Sequence, residues 1–216
     1  MKKKIAVVLA GCGVYDGAEI HEATLTLLAI HQQGADYQCF APDMEQAHVI
    51  NHLTGEEMAE SRNVLVESAR IARGNIRSLS TFKAAEFDAI LFPGGFGAAK
   101  NLCDFAFRGA ACTVNPDVEK AVRAMAKAHK PIGALCISPV VITRILGDVA
   151  VTIGNDRDTA QAIKAMGGTH QVRSHGEVTV DSRHKVVTTP CYMLDANIGQ
   201  IFEGASNVVK TILSLA

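Results

Sequence analysis

The stretch Lys130-Pro131-Ile132-Gly133-Ala134-Leu135-Cys136-Ile137-Ser138-Pro139 decides how the chain folds. Its apolar run, Ile132 to Leu135, reads as a short strand that leads straight into Cys136, and a helix-compatible segment, Val140 to Leu146, follows. A residue at such a strand-to-helix bend is pushed out of the strand's end, above the sheet. A thiol there stands near a helix N-terminus, whose partial positive charge predicts a lowered pKa and a reactive thiolate. The plain alternative is a small buried apolar side chain, which is what most free cysteines are.

Working outward, the same strand–helix alternation recurs. Lys4 to Ala10 is a continuous apolar run, as expected of a strand covered on both faces. Glu19 to Gln33 carries Ile20, Ala23, Leu27 and Ile30 on one helical stripe and stops at Gly34. Strands are predicted at 36–41, 88–92, 149–153, 178–181 and 186–189, the last two flanking a Ser182-Arg183-His184-Lys185 turn. Helices are predicted at 61–73, 158–166 and 197–213, with a further one opened by Asn115-Pro116 and running to His129. Repeated strand–helix units imply an α/β fold: a mostly parallel sheet, helices on both faces, and a small β-hairpin. No linker or repeat interrupts residues 1–216, which read as a single domain.

A net charge of −1 points to neither nucleic acid nor an anionic membrane as partner. No stretch approaches the ~18 apolar residues of a membrane-spanning helix. The chain has six cysteines without a CxxC pair or zinc-like Cys/His spacing. That usage fits a reducing compartment, and a cytoplasmic location is expected from it. Lys2-Lys3-Lys4 followed by Ile5 to Ala10, Gly11 and Cys12 imitates a lipoprotein signal, but the apolar run is short for one and reads as the first strand.

Ligands of open parallel sheets bind at the carboxyl ends of the strands. Three segments have that address: Gly11 to Gly17, Gly94 to Gly97, and the bend at Cys136. A cysteine nucleophile needs an acid/base group and donors for a developing oxyanion. The backbone at Gly94-Gly95 and the amide of Ile137 are the natural donors. Glu19 and Glu22 compete as the carboxyl group, although acidic residues in a first helical turn also simply oppose the helix dipole. A carboxyl beside a thiolate would be pushed towards its protonated form. No histidine follows Cys136, and of the eight histidines His21, next to Glu22, is the first candidate for a further proton carrier. Gly11-x-Gly13-x-x-x-Gly17 is one residue longer than the dinucleotide fingerprint, a weak match. Asp156 and Asp158 read as a helix cap, and no metal is assigned.

Gly11 to Glu22, Phe40-Ala41-Pro42-Asp43, Ile50 to Glu56, Pro93 to Leu102 and Thr188-Thr189-Pro190 together closely resemble the ElbB-type glyoxalases, formerly called sigma cross-reacting proteins. These belong to the class I glutamine-amidotransferase-like superfamily, with the PfpI-type proteins and the parkinsonism-associated deglycases. The resemblance runs over essentially the whole chain. It implies a flavodoxin-like three-layer sandwich, Cys136 as nucleophile, Glu22 as its carboxyl partner, and backbone donors at Gly95 and Ile137. It implies conversion of glyoxal, a small dicarbonyl substrate, to glycolate without cofactor, metal or glutathione, with protein deglycation as another account of that activity, and it implies a homodimer. Three departures matter: Ile137 stands where the peptidases have histidine, Ser138 where related enzymes have glycine, and Thr152 to Asp156 has no histidine where related deglycases often carry one, which leaves a third catalytic group unassigned. A redox-responsive interaction protein using the Cys136 thiol, or a cysteine hydrolase or amidase, are the competing readings.

Overall fold

A computed structural model describes residues 2–216. Its strands are β1 (Lys4–Val8), β2 (Asp36–Ala41), β3 (Ile76–Ser78), β4 (Ala89–Phe92), β5 (Ile132–Leu135), β6 (Ala150–Val151), β7 (Thr169–His170), β8 (Thr179–Asp181) and β9 (Val186–Thr189). Its helices are α1 (Ile20–Gln32), α2 (Val64–Ile71), α3 (Phe105–Arg108), α4 (Pro116–Lys127), α5 (Pro139–Leu146), α6 (Arg157–Ala165) and α7 (Ile198–Leu215). Seven strands form one sheet in the order β3-β2-β1-β4-β5-β9-β8, parallel except for β8, which pairs antiparallel with β9 as the expected hairpin. The expected flavodoxin-like α/β architecture is what forms.

The two faces follow from the period-two alternation of buried strands. Ile5, Val7 and Leu9 of the β1 run pack with α1 and α7 residues such as Ala23, Leu27, Ile201 and Val208. Ala6, Val8 and Ala10 pack on the opposite face with α4 and α5 residues such as Val122, Met125, Val141 and Ile145. Both layers are needed because a parallel sheet exposes apolar side chains on both sides.

Caps set several helix ends. The Asn63 side chain accepts from the Val66 amide, so α2 starts later than the predicted Ser61. Asn115 caps α4, and Pro116 occupies its first turn. The predicted strand at 149–153 shortens to β6, which leaves the main sheet and pairs with β7. The elements β3, β7 and α3 carry too few residues for a period to register in sequence.

Strand order reverses direction between β1 and β4, which opens a crevice at their carboxyl ends. The Gly11–Gly17 loop lies there against the loop after β4. Buried Asn101, in a π-helical turn over Ala98–Leu102, ties them together: its Nδ2 donates to the carbonyls of Ala10 and Asp16, both at 2.9 Å. The amides of Gly11, Gly13, Tyr15 and Gly17 are engaged within the protein, Gly11 donating to Ser68 Oγ (2.8 Å) and Gly13 to the Ala18 carbonyl (2.9 Å). They are therefore not free to cradle a pyrophosphate.

Gly133 lies in β5 under α7, where a Cβ would stand 3.1 Å from both Leu91 Cγ and Val208 Cγ1. Gly133→Val adds two more methyl groups to that contact and should destabilise the protein by about 1–3 kcal/mol. Urea unfolding measures this; an unchanged midpoint would mean that β5 has slack beneath α7.

Candidate active site

Cys136 follows β5 directly and turns into the left-handed region with φ 58°. A non-glycine residue held there costs on the order of 1–3 kcal/mol. The surroundings hold it in place. The Cys136 amide donates to the Thr189 carbonyl at the end of β9 (3.0 Å), and Ser138 Oγ donates to the Pro93 carbonyl at the end of β4 (2.6 Å). The bend is thereby fastened to the strands on both sides of β5.

Glu22, in the first turn of α1, is fully buried. Its Oε2 accepts the Gly94 amide at 2.9 Å, and its Oε1 accepts the Tyr192 amide at 3.2 Å. The Cys136 thiol acts on the same carboxyl group. At Gly94 a Cβ would stand 2.4 Å from Cys136 Cβ, 2.6 Å from Glu22 Oε2 and 2.9 Å from Cys136 Sγ. Only glycine leaves room there for the thiol and carboxyl to lie over the backbone. Gly95, at φ 95°, has its amide directed at the sulfur, as does Ile137.

Burial and then the neighbouring charge of Glu19 raise the Glu22 pKa to about 7, against the opposing pull of the Tyr192 amide, the thiol and the Gly94 amide. The thiol is pushed well above its ordinary value, first by burial and then by the Glu22 charge, while the Gly95 and Ile137 amides oppose the shift. The lowered thiol pKa predicted from the helix N-terminus is thus corrected. Cys136 is only 7% exposed and shares its space with a carboxylate, and both effects outweigh the dipole. Glu22 and Cys136 titrate as a pair. Moving the thiol proton to Glu22 neutralises the carboxylate and leaves a thiolate facing two amides.

The sulfur lies on the wall of a cavity of about 430 Å³. Phe96, Phe105 and Tyr192 supply aromatic surface around it, and Ile137 and Met193 line the side nearest the bend. A larger groove of about 630 Å³ lies away from this chemistry, beside Arg173 and Lys210. Among the described residues no three His, Cys, Asp or Glu side chains converge as metal ligands, and no helix is long and apolar enough to cross a membrane.

The structure thus brings Cys136, Glu22, Gly94, Gly95 and Ile137 together. Gly94 differs from its expected role, because its amide is committed to Glu22 rather than facing the sulfur. His21 is exposed and meets the Tyr192 hydroxyl (Nδ1 to Oη 2.8 Å) instead of Cys136. Asp156 caps α6 by accepting from Thr159. Tyr192 and Phe105 escaped the sequence reading, and Ser138 enters it only as a departure from related enzymes, not as a brace for the bend. Only Tyr192 had a signal, its closeness to Thr188-Thr189-Pro190.

A parallel sheet with a strained cysteine after β5 and a carboxyl group reaching it from α1 defines a class I glutamine-amidotransferase-like protein. The human mitochondrial glutamine amidotransferase-like class 1 domain-containing protein 3 is 48% identical over 222 residues, covering 98% of this chain and 83% of that protein. The rat mitochondrial ES1 protein homolog is 47% identical over 224 residues, covering 99% and 84%. A crystal structure from Ehrlichia chaffeensis, described as an isoprenoid biosynthesis protein with an amidotransferase-like domain, matches at TM-score 0.91 with 36% identity, covering 99% of this chain and 100% of that one. The chain belongs to this ES1 family of glutamine amidotransferase-like proteins. Solved DJ-1/ThiJ/PfpI proteins of lower identity share the fold. No protein-family model matches the chain. The superfamily implied by the sequence motifs is therefore shown, whereas these relatives' names carry no glyoxalase activity. The cytoplasmic location expected from cysteine usage is overturned by the mitochondrial names of the curated relatives. Free thiols report a reducing environment and do not distinguish one reducing compartment from another.

Two measurements test the geometry. The folded pKa of Glu22 lies above its unfolded value, so the folded state holds a proton that the unfolded chain releases. The resulting stabilisation is complete below the ordinary carboxyl range and is lost as pH rises through about 7. It amounts to about 3 kcal/mol. Glu22→Gln leaves one of two buried amides without an acceptor, which costs about 1–3 kcal/mol, but it removes the titration. The stability of the wild type relative to this variant should therefore fall between pH 5 and pH 8; a pH-independent difference would show that Glu22 is ionised throughout. Gly94→Ala should slow alkylation of Cys136 by at least about tenfold through displacement of the thiol, measured with iodoacetamide and peptide mass spectrometry.

Proposed function

We propose that the protein is a cofactor-independent glyoxalase that converts glyoxal and similar small 2-oxoaldehydes to 2-hydroxy acids. The observation that carries this reading is the Cys136 sulfur set between a buried, proton-sharing Glu22 and the Gly95 and Ile137 amides, on a cavity wall. Glu22 takes the thiol proton, and the thiolate adds to one aldehyde carbon. The amides stabilise the oxyanion that forms, which takes up the Glu22 proton to give a hemithioacetal. Glu22, again a carboxylate, removes the hydrogen of that carbon as a proton and returns it to the neighbouring carbonyl carbon, while the hydroxyl proton of the first carbon passes to the oxygen of the second. The first carbon is thereby oxidised to a thioester and the second reduced to an alcohol, with no external oxidant. Water then attacks the thioester, releasing glycolate and restoring the thiol.

The same addition to a carbonyl carbon would serve removal of dicarbonyl adducts from proteins. A hydrolase or amidase reading is less well supported, because the groups acting on the sulfur are Glu22 and backbone amides rather than a histidine.

Cys136→Ser should lower glycolate formation from glyoxal by at least about a hundredfold, since no comparable covalent intermediate forms. Nuclear magnetic resonance of the product provides the assay. Retention of wild-type turnover by the variant, or a wild-type kcat far below the enzyme range of about 1 per second and above, would remove the proposal.

A further inference from the structure

Among the described residues, two carboxylates line the cavity that holds the Cys136 sulfur, Glu19 and Asp156, and no Lys, Arg or His lines it. Glu19 is 8% exposed, and its Oε2 accepts the Glu22 amide at 2.7 Å. Its Oε1 has no hydrogen-bond partner among the described residues. Asp156, at the exposed mouth, accepts the Thr159 amide at Oδ1 (2.8 Å), and hydrogen bonds from the Thr159 side chain and then its amide hold the carboxyl below the ordinary range. Each carboxylate caps a helix whose N-terminus carries roughly half a positive charge, so a net negative charge remains at both positions. Lys100, which stands 5.4 Å from the centre of the Phe96 ring, is tied back to the Tyr15 carbonyl at 2.9 Å. The remaining wall is apolar or aromatic, and little there screens the buried charge.

We infer that Glu19 and Asp156 are specificity-determining residues that repel anionic substrates, so that the site takes neutral or cationic carbonyl compounds and rejects those bearing a carboxylate or phosphate. This deepens the glyoxalase reading and rests on it for the reaction, but the charge selection belongs to the cavity. Glu19 is the stronger of the two, because it is buried near the sulfur. Asp156 is exposed to counter-ions and contributes less.

The test compares two alkylating agents of nearly equal size, neutral iodoacetamide and anionic iodoacetate. Their rates at Cys136 are read by peptide mass spectrometry, and the same two rates are measured on 2-mercaptoethanol as a free thiol. The iodoacetamide-to-iodoacetate rate ratio should be about tenfold or more larger for the wild type than for 2-mercaptoethanol. Glu19→Gln should remove most of that excess and Asp156→Asn a smaller part; both substitutions keep a capping oxygen. Glu19→Gln also changes the Glu22–Cys136 proton balance, but this affects both reagents alike, so the ratio remains the readout. Circular dichroism confirms that the variants fold, and Asp156→Asn alone suffices to test the direction. A wild-type ratio equal to that of the free thiol, or a ratio unmoved by both substitutions, overturns the inference. Absence of glycolate formation with the alkylation preference intact would sink the glyoxalase reading and leave the charge filter standing.

Discussion

A fully buried carboxyl group with no cationic partner among its contacts is the constraint on which this site depends. Glu22 is held by amides from two separate loops, Gly94 after β4 and Tyr192 after β9, while its own helix starts after the β1 loop. Burying a carboxylate is costly, and hydrogen bonds alone offset part of that cost. The remainder appears as affinity for a proton near neutral pH. Because the bound proton lies beside the Cys136 sulfur, the same energetic conflict that weakens folding at alkaline pH also places a titrating carboxyl within reach of the thiol.

The strained bend at Cys136 belongs to the same arrangement. A cysteine with positive φ projects its side chain off the end of β5, towards the space over Gly94. Two flanking strand ends hold the bend through the Thr189 and Pro93 carbonyls. Neighbouring Cys191, at the end of β9, is also in the left-handed region, with φ 46°. Strain of this size persists only where the surrounding sheet and loops fix the backbone from several directions.

The cavity around this pair sets the electrostatic surroundings of the thiol. Its aromatic and apolar wall lowers the local dielectric response, and Glu19 and Asp156 add negative charge. Burial and the Glu22 charge disfavour a free thiolate at rest and raise the thiol pKa. They favour a thiolate that forms as its proton moves the short distance to Glu22 and is stabilised by the Gly95 and Ile137 amides.

Local pattern alone determined the layered fold. The runs at 4–10, 36–41, 88–92 and 132–135 alternate with helical stripes, and the side-chain periods of strand and helix are set by the covalent backbone. The same pattern placed the Gly11–Gly17 loop, the Gly94–Gly97 loop and Cys136 at one edge of the sheet. Local pattern left Glu19 and Glu22 both open, and only the family resemblance singled out Glu22; tertiary structure alone decided that the Gly94 amide serves the carboxyl, that His21 turns to Tyr192, and that the thiol pKa rises instead of falling. Those outcomes depend on burial and on close approach between segments far apart in the chain. Residue order does not encode either quantity locally; they arise only when the loops after β1, β4, β5 and β9 close over one another.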